Sequence, residues 1–388
     1  MAKEFNFPPE LCLQILQYIW ASDTPTQLKR QTLRSTRLVN RTWSQSASEL
    51  LFRDFTIYGS RDLGADLRRV AVLKQISQTM LAPLIRNLTV ELSLYGDCDD
   101  EKSMDQFQDL FTNLTLIFPE AIPKFPGLEQ LRLILLGRNE MSDAGYGDQK
   151  CAVVDYAFAQ LAYHIPFEFV GSIGKSLSMA PLPNLHTLSL DLFTMCDLAT
   201  ILQAGESADA GKPSYFRQNI KNLRTFGISH NILMCTGLDE CPPETYHDDL
   251  SATSSNDLAC RPFCILKLFD YGLDNLESLT VECSELQNVC IDMHDMWPTV
   301  PFQNLRYIRL HKTFISVGTL KSIMERSKDT LEELYIHWST GIQSVNTDII
   351  TDLIKSMPNL QRAKLVSEGD SFVFDRPGLA TLKGASES

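Results

Sequence analysis

The chain has 388 residues, of which 44% are apolar and 21% charged, and its 35 basic against 48 acidic side chains give a formal net charge of −13. That length and apolar content support two or three domains with sizeable cores and exclude wholesale disorder, while the acidic balance argues against a protein that coats nucleic acid. The start, MAKEFNFPPE, has no basic segment followed by an apolar run, and nowhere do about eighteen apolar residues stand together. Ten cysteines are scattered along the chain. The expectation is therefore a cytoplasmic or nuclear protein with no membrane contact, whose cysteines are buried fillers or free thiols rather than a disulfide framework.

The first 58 residues read as a compact helical unit. FPPELCLQILQYIW, residues 7 to 20, opens with prolines suited to a first helical turn and with Glu10 at the positive end of the helix dipole, and Leu11, Ile15 and Ile19 share one face. Thr24, Pro25 and Gln27 have the spacing of a capping box, predicting a second helix that carries Leu28 toward Leu33. Val39, Trp43, Ala47 and Leu50 lie at helical spacing in a third, and LFRDFTI, residues 51 to 57, alternates into a short extended exit.

From about residue 60 one phrase recurs: an apolar residue, two variable, an apolar residue, one variable, an apolar residue. It is read at Ile85, Leu88 and Val90, at Leu128, Leu131 and Leu133, at Leu185, Leu188 and Leu190, and at Leu223, Phe226 and Ile228. It continues at Leu276, Leu279 and Val281, at Leu305, Ile308 and Leu310, at Leu331, Leu334 and Ile336, and more weakly at Leu360, Ala363 and Leu365. In five copies an asparagine stands directly before the first residue: Asn184, Asn222, Asn275, Asn304 and Asn359. The last two apolar positions fall on one face of an extended strand, and the first reaches the same core from the preceding turn.

Helical patterns lie between phrases. The clearest are Phe107, Leu110, Phe111, Leu114 and Phe118, predicted to end at Pro119, and Ile349, Leu353 and Met357, predicted to end at Pro358. The last four copies start 29, 26 and 29 residues apart, at the long end of the repeat length of strand–helix arrays, and the longer gaps before them hold insertions or additional degenerate units, with candidate insertions at about 137 to 183 and 234 to 262. The second insertion is rich in acidic residues and is expected to be a mobile surface loop; the tail from 376 to 388 is expected to fray. The spacing therefore predicts an α/β protein with a helical unit at 1 to 58 and a repetitive parallel-strand unit at 59 to 375.

The N-terminal unit resembles the F-box, on FPPELCLQIL (7 to 16), RLVNRTW (37 to 43) and LFRDFTI. It departs from the family at Phe7, where a leucine is usual, and in a long loop from Trp20 to Gln27. The repeated phrase is similar to the leucine-rich repeat, in the irregular form found in fungal F-box proteins. The resemblance implies a three-helix F-box followed by a solenoid with parallel strands on its concave face and helices outside. Such a chain is the non-catalytic target-recognition subunit of an SCF-type ubiquitin ligase. Its F-box binds a Skp-type adaptor, and through it a cullin–RING ligase, while the repeats hold a protein to be ubiquitylated. By family position the adaptor-binding residues are Phe7, Pro8, Leu11, Ile15, Leu16, Leu38, Val39 and Trp43, the last shared with the helical core. Two other readings compete: an interaction scaffold acting outside ubiquitylation, and an enzyme using residues 137 to 183 as a lid.

In a strand array of this kind the variable positions face outward. The middle copies show Thr187, Ser189, Asp191, Thr225, Gly227, Ser229, Ser278, Thr280 and Glu282. The late copies show Tyr307, Arg309 and His311, then Glu333, Tyr335 and His337, then Arg362 and Lys364. Tyr and Arg are the side chains that most often anchor interfaces, so Tyr307, Arg309, His311, Tyr335, His337, Arg362 and Lys364 are the candidate target-binding residues, suited to an acidic or phosphorylated segment.

Signals of chemistry are weak. GSIGKS, residues 171 to 176, imitates the end of a P-loop, but Phe169 occupies the position of its first glycine. Cys235, Cys241, His247, Cys260 and Cys264 fall in one insertion at spacings that match no familiar zinc finger. Glycosylation-like triplets at Asn40, Asn87 and Asn113 fall inside predicted helices or a strand. No metal, cofactor or catalytic constellation is expected.

Overall fold

The computed structural model describes residues 8–22, 25–57, 63–93, 101–136, 167–191, 193, 195–207, 213–230, 273, 275–283, 303–311, 317–337, 347–367 and 370–375. Three helices open the chain: α1 (Pro9–Ala21), α2 (Thr26–Thr36) and α3 (Arg41–Arg53). Helix α1 has Pro8 at its N-cap and Glu10 in its first turn, as its sequence predicts. Helix α2 has Pro25 at its N-cap with no side-chain cap bond, and Thr24, from which the expected capping box would start, lies outside the described residues. Helix α3 is capped by Asn40, whose Oδ1 accepts the backbone N–H of Trp43 at 3.0 Å, so this asparagine is committed to the helix end. Leu16, Leu33, Ala47 and Leu50 form a small core of their own, with Leu13, Ile19, Trp20, Trp43 and Leu51 packed against it.

The remaining described elements build one ten-stranded sheet in which strand order follows chain order. The strands are β1 (Asp54–Ile57), β2 (Asn87–Ser93), β3 (Gln130–Leu136), β4 (Thr187–Asp191), β5 (Thr225–His230), β6 (Ser278–Cys283), β7 (Tyr307–His311), β8 (Glu333–His337), β9 (Arg362–Ser367) and β10 (Asp370–Asp375). Strands β1 to β9 are parallel. Strand β10 returns antiparallel to β9 and closes that edge. A parallel neighbour requires a crossover, and helices supply it where the crossovers are described. These are α4 (Leu63–Ser77), α5 (Glu101–Ala121), α6 (Phe167–Ser178), α7 (Met195–Glu206), α8 (Phe216–Lys221), α9 (Val317–Arg326) and α10 (Thr347–Ser356). Among them α4 packs on α5, α5 on α6 and α6 on α7.

The repeated phrase is the core of this unit. Its first residue is buried in all eight copies, as are its second and third, and they join the inward faces of the helices in one cluster. The asparagine before the phrase stitches consecutive copies together. Asn184 Nδ2 donates to Pro126 O at 3.1 Å and Asn275 Nδ2 to Lys221 O at 3.2 Å, and Asn359 Nδ2 bonds Asp329 O. In each case the acceptor stands two residues before the first leucine of the preceding phrase, which explains a fixed asparagine at variable repeat lengths.

Three expectations are corrected. Residues 54 to 57 belong to the sheet rather than to the helical unit, because β1 pairs with β2 and Arg53 O accepts Arg86 N at 2.9 Å; the junction falls at the end of α3. The predicted insertion at 137 to 183 contains α6, whose Phe169, Val170, Ile173 and Leu177 are buried in the main core. Phe169 packs between Phe111 and Phe118 of α5, edge-on to the first at a ring distance of 5.1 Å and tilted to the second at 5.6 Å. Helix α5 continues through Pro119 to Ala121, since a proline in the last turn removes only one hydrogen bond. The sequence GSIGKS lies within α6 and not at a loop, so its backbone N–H groups are engaged in the helix. Residues 234 to 262, with the five possible zinc ligands, and the tail 376 to 388 lie outside the described residues. Among the described residues no helix is long and apolar enough to cross a membrane.

Candidate functional site

The strand face opposite the helices carries three rows of side chains set by the pairing register. One row runs Asn87, Gln130, Thr187, Thr225, Ser278, Tyr307, Glu333, Arg362; the next runs Thr89, Arg132, Ser189, Gly227, Thr280, Arg309, Tyr335, Lys364. In the third, His311 and His337 are neighbours on β7 and β8. Small side chains on β4 to β6 give way to large ones on β7 to β9. All seven candidate residues of the late copies therefore come together on three adjacent strands, although they span 58 positions from Tyr307 to Lys364.

Tyr335 is the centre of this group. Its ring has the Arg309 guanidinium 5.3 Å from its centroid on the β7 side and the Lys364 ammonium 5.7 Å away on the β9 side. His311 stacks at 6.1 Å on Tyr335 and meets His337 edge to face at 4.8 Å. Arg309 Nε is held by Glu282 at 2.7 Å, which restrains the guanidinium beside the Tyr335 ring. Among the described residues no carboxylate lies within ion-pair distance of Lys364 or Arg362. A hollow of about 550 Å³ follows these strands, walled by Tyr307, Arg309, Tyr335, Lys364 and, from β10, Val373.

A second feature, not anticipated from sequence, lies where the strands begin. The residue after each phrase's first leucine uses its carbonyl to accept two N–H groups of the next copy, as Arg306 O accepts from Glu332 at 2.8 Å and Glu333 at 2.9 Å. Its side chain alternates in charge: Arg86 pairs with Glu129, Arg224 with Glu277 and Arg306 with Glu332. At the last pair Arg306 Nε donates to Glu332 Oε1 at 2.8 Å and the Tyr307 hydroxyl donates to Oε2 at 3.0 Å. The Arg306 hydrogen bond, assisted by that of Tyr307, holds the Glu332 carboxyl below its ordinary range, and in return the same carboxylate raises the Tyr307 phenol. The Arg-then-Glu succession at this phrase position, interrupted at His186 and ending at Gln361, is visible in the sequence.

The adaptor-facing candidates divide. Leu38 and Val39 are 87% and 65% exposed and Leu11 and Ile15 are 45% and 41% exposed; Pro8 is exposed as well. Leu16 is 1% exposed and belongs to the three-helix core, a correction to its expected surface role; the heptad-like spacing of α1 turns it inward with Cys12. Trp43 is half-buried against that core, and Phe7 lies outside the described residues. Sequence reasoning passed over Tyr18 and Leu28, both exposed. Six of the twelve large apolar side chains that are exposed among the described residues fall between positions 11 and 39.

Among the described residues no group of three or more His, Cys, Asp or Glu side chains could hold a metal ion. A comparison with protein-family models gives no match, and one with curated proteins gives none.

Proposed function

We propose that the chain is a non-catalytic target-recognition subunit of an SCF-type ubiquitin ligase: residues 8 to 53 form an F-box that binds a Skp-type adaptor, and the strand unit is an irregular leucine-rich-repeat solenoid that holds a target protein. The observation that carries the reading is the concentration of exposed leucine, isoleucine and valine on α1 and on the turn between α2 and α3. A three-helix unit whose own core comprises four fully buried apolar side chains leaves these uncovered, and apolar surface of that kind marks a partner site. The cationic and aromatic end of the sheet, on a chain of net charge −13, supports the assignment of the target to the opposite part of the molecule. Ubiquitin transfer would be performed by the cullin–RING partners.

The test is co-expression of the full chain with a Skp-type adaptor, comparing the parent with Leu11→Asp plus Ile15→Asp. Both positions are more than 40% exposed, so the double variant keeps its fold, which circular dichroism checks. The parent is expected to elute as one complex with the adaptor and the variant as a free chain. Adaptor binding that survives the double substitution refutes the interface; adaptor binding without cullin recruitment moves the protein to the scaffold reading.

A further inference from the structure

We infer that the Arg309–Tyr335–Lys364 row is a two-point reader for an extended acidic segment whose carboxylates stand three residues apart. The inference rests on the reading of the open sheet face as the target-holding surface and names the chemistry of that target.

The spacing of the two strands that carry the cations sustains the argument. Arg309 and Lys364 lie in the same register row on β7 and β9, either side of Tyr335 on β8. Two inter-strand steps separate their backbones by about 9.6 Å. A peptide in the polyproline II conformation rises about 3.1 Å per residue and returns to the same side every third residue, so side chains at i and i+3 project together about 9.3 Å apart. A fully extended β-strand presents i and i+2 on one side, about 6.7 Å apart, and misses the second cation. A segment crossing the strands therefore meets both cations with the pattern acidic–x–x–acidic, and the residues between them lie over the Tyr335 ring.

Three local features fit this occupant. Glu282 fixes Arg309 through Nε at 2.7 Å, so the guanidinium offers its terminal N–H pair with little further ordering. Lys364 has no carboxylate within ion-pair distance among the described residues, and its contact with the Tyr335 ring keeps it over the hollow. On the β6 side, Ser278 and Thr280 line the floor and leave room for a main chain while offering hydroxyls to it. The charge contrast between this row and the chain as a whole favours acidic partners approaching at this point.

The experiment measures fluorescence anisotropy of labelled peptides on the full chain, in its adaptor complex if one forms. The peptides carry two glutamates separated by one, two or three residues in a proline- and alanine-rich background. The two-residue separation is expected to bind about tenfold more tightly than the other two, the scale of one charge-assisted hydrogen bond. Lys364→Glu is expected to remove that preference, and one of the two peptides with a single glutamate replaced by lysine is expected to restore binding to the variant, which also reads the direction of the bound segment. Equal binding at all three separations, no binding of any peptide, failure of both charge-swapped peptides, or binding only when phosphoserine replaces glutamate each overturns the proposal. Adaptor binding read on the same samples is independent of this face, so its retention alongside absent peptide binding sinks this inference and leaves the receptor reading standing.

Discussion

Gly174 and Gly171 stand three residues apart in α6, and adding one methyl group to each is expected to change stability in opposite directions. A Cβ on Gly174 would lie 2.0 Å from the carbonyl oxygen of Ile201 and 2.8 Å from the backbone nitrogen of Gly205, both in α7. Ordinary van der Waals contact would need more than 1 Å of additional separation, and because the blocking atoms are backbone, no rotamer change relieves the clash. Moving α6 away from α7 presses it on α5 and disturbs the Phe111–Phe169–Phe118 cluster. Overpacking of a well-filled core costs about 1 to 3 kcal/mol, and a backbone obstacle places this case at the upper end. Replacing glycine by alanine inside a helix returns about 1 kcal/mol, so the net destabilisation of Gly174→Ala is about 2 kcal/mol. A Cβ on Gly171 would meet Ala204 Cβ at 3.6 Å and Thr200 Cγ2 at 3.9 Å, ordinary contacts, so Gly171→Ala is expected to gain up to about 1 kcal/mol. Urea unfolding of the full chain, followed by far-ultraviolet circular dichroism, reads the two midpoints against the parent. A Gly174→Ala protein as stable as the parent, or a Gly171→Ala protein as damaged as Gly174→Ala, refutes the close helix approach.

Two further outcomes follow from buried and charged polar groups. Asn219 is fully buried and satisfies three backbone groups, donating to Leu177 O at 2.7 Å and Ala180 O at 2.9 Å and accepting from Leu182 N at 2.8 Å. Asn219→Ala strands all three and is expected to cost about 3 kcal/mol or more by urea unfolding, whereas a loss under about 0.5 kcal/mol would contradict the bracket between α8 and the turn before β4. At the strand starts, the carboxyl of Glu332 has a folded pKa below its unfolded value, so its contribution is complete above the ordinary carboxylate range and disappears as pH falls through the depressed folded value. Glu332→Gln is therefore expected to be less stable than the parent at neutral pH and to match it in strong acid; a stability gap that stays constant across this range would show that the Arg306 pairing plays no part.

Much of the architecture was legible in the chain because it repeats. Period-two burial after a first inward residue identified every strand from β2 to β9, and the alternation with helical spacing predicted a parallel α/β unit. The asparagine before five of the eight phrases was visible as a pattern, but its acceptor was not. That bond reaches a residue 30 to 58 positions away, a separation that depends on each crossover and not on the phrase. Alternation alone put Tyr307, Arg309, Tyr335, Arg362 and Lys364 at outward positions of their strands; that Arg309 and Lys364 approach one ring from two sides depends on strand register across crossovers of unequal length.

What remained hidden shares one physical cause: each feature is settled by packing between elements distant in sequence. The apolar run before Ser178 has the composition of either an insertion or a core helix, and only the place between α5 and α7 made it α6. Leu16 and Ile15 are both apolar and adjacent, and the position of α3 beside α1 decides that one is buried and the other exposed. Residues 54 to 57 look like an exit from the helical unit until β2 supplies their hydrogen-bond partners. By itself the sequence determined the period, the inward positions and the charge contrast, because these are local properties of side-chain order. The tertiary structure decided which cations share a ring, which glycine admits another backbone and which strand closes the sheet, because those are set by distances between segments that the chain alone leaves open.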